Sequence, residues 1–216
     1  ALRETFRESD HIRFHPIINY GGSAVNTIPD VIGMESYVRG ASLEVISREN
    51  RKINRALAGS AVAMGANVEI VDRPGYAPLI NDPVLLDFAC ESARALLGEE
   101  RVNRSYGWST PCTDMGDIAS VIPSIQPCIG GAVGKGHGED YRIVDPVLAC
   151  VVSAEVQLCI IADLLENSCA KAKKVLSEFK PLYPTKEAFF KAIDANCRDI
   201  NAVRYGDDGE SAEIVY

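Results

Sequence analysis

Two β-rich runs open the pattern of hydrophobic and polar positions: HIRFHPIINYGG and TIPDVIGMESYVRG, separated by GGSAVN. The Gly and Asn of that segment permit positive φ, so the pattern predicts a hairpin or a pair of strands. Ser42 is a good N-cap, and Ile46, Ile53, Leu57, Ala61 and Met64 follow at gaps of seven, four, four and three, which places them on one helical face. Gly65 supplies the C-terminal stop. A short strand, NVEIVDR, comes next and is broken by Pro74 and Gly75. The order strand, strand, helix, strand is most of a split βαβ sandwich without its first strand and helix. The opening ALRETFRESD is polar, helical in propensity and uncapped, and reads as the end of a helix from a longer protein.

The pattern changes at Tyr76, and the Pro-rich turn from Pro78 to Pro83 is the expected boundary between residues 1–76 and 77–216. Asp82 with Pro83 is expected to cap a helix running to about Gly98. A turn region through Gly107, the strand-like SIQPCIGGAV and a Gly-rich loop lead to a long apolar helix capped by Asp145 and Pro146. Strands alternating with helices predict an α/β layer architecture. AKAKKVLSEFK and TKEAFFKAID are amphipathic helices split by PLYP, and the final RYGDDGESAEIVY is expected to be loosely held. No internal repeat is present.

Composition narrows the classes. Among 216 residues the hydrophobic fraction is 47% and the charged fraction 24%, which suits a packed core. Lys and Arg number 22 against 30 Asp and Glu, a formal charge of -8, and no basic tract follows a phosphate backbone, so nucleic acid is excluded as a partner. Carboxylate recognition must then come from a local Arg or Lys. Seven Cys form no CxxC pair and read as reduced, buried thiols, which points to the cytoplasm. The stretch from Pro146 to Leu165 could span a bilayer, but Ser153, Glu155, Gln157 and Asp163 interrupt it. A buried core helix, with no membrane partner, is expected.

Three patches could carry chemistry. The chain has three His (His11, His15, His137) and no HxH or HExxH spacing. In GGAVGKGHGEDYRIVDP, His137 sits on a Gly-rich loop between a strand-like run and a helix, where α/β folds place ligands. The plain alternative is an exposed loop imidazole. GGAVGKG fails the Walker spacing, so nucleotide binding is rejected, and Lys135 is solvated or a substrate-side cation. In the second patch Asn26 could converge on Arg39, which shares a strand face with Tyr37, and an amide with a guanidinium suits a carboxylate. A turn Asn and a surface Arg is the other reading. The third patch, STPCTDMGD, offers Thr113, Asp114 and Asp117; Asp114 either orients a neighbouring group or caps the short helix after it. Cys112 has no nearby base and is not read as a nucleophile.

Taken in order, these patches resemble the aminoacylase and carboxypeptidase family of metal-dependent amidohydrolases over most of residues 11–170. In that family a lid domain is inserted into a two-zinc catalytic domain. GGSAVNTIPD with YVRG resembles the lid signature. PCTDMGDIASVIPSIQP resembles the glycine-serine-threonine-aspartate segment of the branch containing p-aminobenzoyl-glutamate hydrolases and β-alanyl-lysine dipeptidases, and GHGEDY resembles the segment with the last metal-ligand His. The resemblance implies that His137 binds one metal, zinc or manganese. It also implies that Asn26 and Arg39 hold the substrate carboxylate, and that Thr113 and Asp114 support the floor of the site. His15 sits where the branch often has His.

The fold implied is α/β: the C-terminal half of a three-layer aminopeptidase-like catalytic domain (77–216) with a partial ferredoxin-like, split βαβ lid domain (1–76). Pro111 and Cys112 depart from the branch, which has Gly and Ser there. The family's other metal ligands, its general-base Glu and its lid His fall N-terminal to Ala1. The resemblance therefore implies a parent enzyme cleaving amide bonds of small N-acyl amino acids or dipeptides, and a chain inactive alone. A homodimer and a separate N-terminal polypeptide are the implied partners, besides a small carboxylate-bearing amide substrate. A non-catalytic dimerisation or carboxylate-binding module is the alternative.

Overall fold

The computed structural model describes residues 2–105 and 112–215. In chain order its elements are β1 (Arg13–Tyr20), β2 (Gly33–Arg39), α1 (Leu43–Ala63), β3 (Glu69–Asp72), α2 (Pro83–Leu97), α3 (Met115–Ala119), β4 (Ala132–Val133) and β5 (Arg142–Ile143). A π-helical segment, Val147–Val152, then opens α4 (Ser153–Glu178), followed by α5 (Lys186–Asp194), β6 (Arg198–Asn201), β7 (Val203–Tyr205) and β8 (Ala212–Ile214). This mixed content is compatible with the α/β class. The strands described pair as β1–β2, β3–β6, β4–β5 and β7–β8, each antiparallel. The chain divides into two compact units, one of Ala1–Pro78, Thr110–Thr113 and Glu187–Tyr216, the other of Leu79–Ser109 and Asp114–Lys186.

In the first unit, β1 and β2 form the expected pair, in register from Arg13↔Arg39 to Ile18↔Met34, with an irregularity between Ile18 and Tyr20. Ser42 caps α1 as its sequence predicts, its Oγ accepting from Val45 N at 3.2 Å. Ala66 N donates to Ala61 O at 2.9 Å to close the helix at Gly65. The predicted apolar face is only partly covered: Ile53 is buried, whereas Met64 is 82% exposed. Ala58 packs with Ile70, Ala202 and Val203, which brings β3 and the C-terminal strands onto α1.

Two expectations for this unit are corrected. The opening residues form short 3-10 turns, Leu2–Thr5 and Glu8–Asp10, rather than the end of an α-helix. The tail is not loose: β7 and β8 pair, Val215 N donates to Ala202 O at 2.9 Å, and the Tyr205 hydroxyl donates to Ala66 O at 2.9 Å. Buried Ala202 and Val203 supply the anchoring that the polar composition conceals.

In the second unit, Asp82 caps α2, accepting from Leu85 N at 2.7 Å, and Gly98 at φ 94 ends it. Ala89 and Ala93 let α2 lie close against Val156 and Ile160 of α4. Ser92 Oγ donates to Asp163 Oδ2 across this packing. Asp145 Oδ1 accepts from Leu148 N at 2.9 Å at the head of the long apolar helix, as the Asp-Pro pair predicts.

That helix is not the buried core helix expected. Val147, Val151, Leu158, Ile161 and Leu165 are each more than half exposed, since α2 covers only the flank carrying Val156 and Ile160. By length and composition Val147–Glu178 is apolar enough to cross a membrane, its most apolar 18-residue window having a mean hydropathy of 2.0. Glu166, Asn167, Ser168 and Cys169 leave helical geometry, which separates this stretch from the amphipathic segment after it. SIQPCIGGAV is strand only at Ala132–Val133. The thiols are free, but only Cys90 is buried, and Cys128, Cys150 and Cys197 are exposed. The expectation of seven buried thiols is therefore also corrected.

Candidate functional site

Arg39 ends β2 opposite Arg13 and is half-buried, with its guanidinium 5.9 Å from the Tyr37 ring centroid. This contact realises the predicted common face of Tyr37 and Arg39. Asn26 lies in an exposed turn of the connection between Tyr20 and Gly33. Gly33 is at the other end of β2 from Arg39, six strand steps or about 20 Å away at the usual rise. Along the chain Asn26 therefore precedes the start of β2, and Arg39 ends that strand. His15 is paired with Tyr37 in register and lines, with Arg3, Phe6 and Arg13, a cavity of about 400 Å³.

Thr113 is half-buried and belongs to the first unit, whereas Asp114 belongs to the second. Asp114 occupies the N-cap position of α3, its carbonyl accepting from Asp117 N at 3.1 Å and Ile118 N at 3.3 Å. Its exposed carboxylate makes no capping bond, so the side-chain cap considered for it is absent. Cys112 is half-buried, and Pro111 lies outside the described residues.

His137 is exposed on the turn joining β4 to β5, at φ 65. Gly138 N donates to Lys135 O at 2.8 Å, and Lys135 N donates to Asp140 Oδ1 at 3.3 Å. Gly134 adopts φ 99, and a Cβ there would lie 2.5 Å from Asp140 O. Gly131 O accepts from Val144 N at 2.9 Å and Asp145 N at 3.1 Å, which ties the loop to the start of the apolar helix. The loop is therefore a defined turn that presents an imidazole to solvent.

A tetrahedral zinc centre needs three or four protein donors. Among the described residues no three His, Cys, Asp or Glu side chains come together in such a group. One loop imidazole does not constitute a metal centre, and the residues described do not by themselves fit one.

The strongest electrostatic feature lies elsewhere and was missed in the sequence. Glu49 on α1 is only 3% exposed, accepts from Arg48 Nε at 2.8 Å and is paired with Lys52 Nζ. Burial raises its carboxyl, but the hydrogen bonds and charges of Lys52 and Arg48 outweigh that and hold it below the usual glutamate range. Arg48 also pairs with Asp10. The signal was available as basic residues at positions 48, 51, 52 and 55, one side of a helix.

Comparison with known proteins places the chain among hydrolase-related sequences. It is 24% identical over 156 residues to an uncharacterized hydrolase, y4tI, of Sinorhizobium fredii, an alignment covering 70% of this chain and 38% of that one. It is 28% identical over 133 residues to the Xaa-Arg dipeptidase of Mus musculus and 29% identical over 133 residues to that of Homo sapiens. Those two alignments cover 60% of this chain and 31% and 30% of the dipeptidases. The chain thus spans less than two fifths of the length of these relatives, and the relationship it shows is to hydrolases and peptidases. No protein-family model and no solved structure matches it.

Proposed function

We propose that this chain is the C-terminal, lid-bearing part of a metal-dependent amidohydrolase or peptidase that cleaves amide bonds of small N-acyl amino acids or dipeptides. The observation that carries the proposal is the sequence relationship to two Xaa-Arg dipeptidases across 60% of the chain. The motifs around Asn26, Arg39, Thr113, Asp114 and His137 support it. In this reading His137 is one ligand of a zinc or manganese centre whose other donors lie in the part of the relatives that this chain does not span. A metal there would polarise the amide carbonyl and activate water. Thr113 and Asp114 line the floor, and the carboxylate end of the substrate meets Arg39. Asn26 joins Arg39 in holding that carboxylate, and the working form is a homodimer. The chain alone is inactive.

The test joins the chain to the N-terminal part of a relative that supplies the length it lacks. Metal content after dialysis and turnover of an N-acyl amino acid and an Xaa-Arg dipeptide are then measured. Metal and turnover gained in the fusion and lost in His137→Ala support the reading. Turnover by the chain alone that survives His137→Ala overturns it, and so does a folded fusion that holds no metal.

A second reading, a non-catalytic dimerisation or carboxylate-binding module, is favoured by the exposed apolar hairpin. Ile17, Ile18, Tyr20, Ile28, Val31 and Ile32 are each more than half exposed. A monomeric mass by light scattering would count against the dimer in either reading, and carboxylate binding without metal would support the second.

A further inference from the structure

Five basic side chains gather around one cavity in the first unit. Arg7, Arg48, Arg51, Lys52 and Arg55 line a space of about 540 Å³ with Thr5 and Glu49. Its walls come from the N-terminal 3-10 turns and from α1, on which residues 48, 51, 52 and 55 share one side. The volume falls in the range of small-molecule sites. A chain of formal charge -8 thus concentrates cations at one place.

The five cations divide into two groups. Arg48 and Lys52 are occupied by Glu49, Arg48 also by Asp10, and Lys52 Nζ in addition reaches Thr5 O at 3.1 Å. Lys52 further lies 5.4 Å from the Phe6 ring centroid. These contacts build a fixed wall. Arg7, Arg51 and Arg55 are exposed, and none pairs with a carboxylate among the described residues. Glu4 and Glu8 belong to the same turns but do not line the cavity. Like charges four apart on a helix repel, so Arg51 and Arg55 cost stability until an anion lies between them.

We propose that this cavity binds a small polyanion carrying phosphoryl groups, held by Arg7, Arg51 and Arg55 against the wall of Arg48, Glu49 and Lys52. Guanidinium forks donate in pairs to both carboxylate and phosphate oxygens. Three forks around one space suit tetrahedral groups, which offer oxygens in several directions, better than planar carboxylates. Glu49 is buried and paired with its two neighbours, so it orients them and repels the ligand little. This inference does not rest on the amide-hydrolysis reading.

The test is calorimetric titration of the whole chain with pyrophosphate and, separately, with citrate, at about 0.15 M salt to screen loose association. Arg51→Gln/Arg55→Gln keeps helix propensity, and Lys173→Gln/Lys174→Gln on α4 removes the same charge elsewhere. Saturable pyrophosphate binding near or below about 1 mM, weakened about tenfold or more in the Arg variant and unchanged in the Lys variant, is expected. Absence of saturable binding overturns the proposal, as does equal loss in the two variants. Citrate binding as tightly as pyrophosphate overturns the phosphoryl assignment. If the Arg variant does not fold, phenylglyoxal modification of the wild-type chain, read by mass spectrometry, decides: pyrophosphate must protect Arg51 and Arg55, and unprotected modification sinks the idea.

Discussion

Asn54 Nδ2 donates to Asp72 Oδ2 at 2.7 Å, joining a buried amide in the middle of α1 to the last residue of β3. Asn54 is only 3% exposed, so this bond satisfies a polar group that water cannot reach. Asn54→Ala leaves the Asp72 carboxylate without its donor and should destabilise the chain by about 1–3 kcal/mol. The urea midpoint measures it, and an unchanged midpoint would mean that water replaces the amide.

Glu49 should make stability depend on acid pH. Its carboxyl is held below the ordinary glutamate range by Lys52 and Arg48 against the effect of burial. A folded value below the unfolded one means that the stabilisation is complete above the unfolded range, about pH 4.3, and is lost as pH falls through the folded value. Glu49→Gln should flatten the decline in urea midpoint between about pH 6 and pH 3. Parallel curves for the two proteins would assign the decline to other carboxylates. Asp208, held low by the amides of Glu210 and Ser211, acts in the same direction and remains in both proteins.

The two flanks of α4 should answer mutation oppositely. Ile160 is 8% exposed and packs against α2, so Ile160→Ala should cost about 2–5 kcal/mol. Leu158 is 65% exposed and Ile161 is 52% exposed. Leu158→Lys/Ile161→Lys should change stability by no more than about 0.5 kcal/mol per site, while reducing fluorescence of a bound apolar dye. A large loss of stability in the Lys variant would show that this flank is covered in solution.

The turn that carries His137 should resist substitution at Gly134. Its φ of 99 and the 2.5 Å approach of a built Cβ to Asp140 O both exclude an L side chain without movement. Gly134→Ala should cost about 1–3 kcal/mol, read as a lower melting temperature, whereas Gly136→Ala has open space and should be milder. Equal effects at the two positions would mean that the turn rearranges freely.

The sequence by itself determined what is local. The Ser42 and Asp82 caps, the Gly65 and Gly98 stops and the start of the apolar helix at Asp145 all depend on residues a few positions apart, and the β1–β2 pair joins strands that are neighbours along the chain. The relationship to hydrolases and peptidases was legible because residue order alone carries it. Tertiary structure decided what depends on distant partners. β3 pairs with β6 from Glu69↔Asn201 to Asp72↔Arg198, which no local pattern encodes. The burial of Ala202 and Val203 turns an apparently loose tail into a hairpin on α1. Among the described residues the apolar helix is covered on the flank that faces α2, so composition predicted burial and packing supplied one flank. Asn26 precedes the start of β2 and Arg39 ends it, and an extended strand carries each residue about 3.3 Å from the last. Burial alone would raise the Glu49 carboxyl, and it is held below the usual glutamate range because the fold sets Lys52 and Arg48 beside it, an effect that depends on where those neighbours are placed.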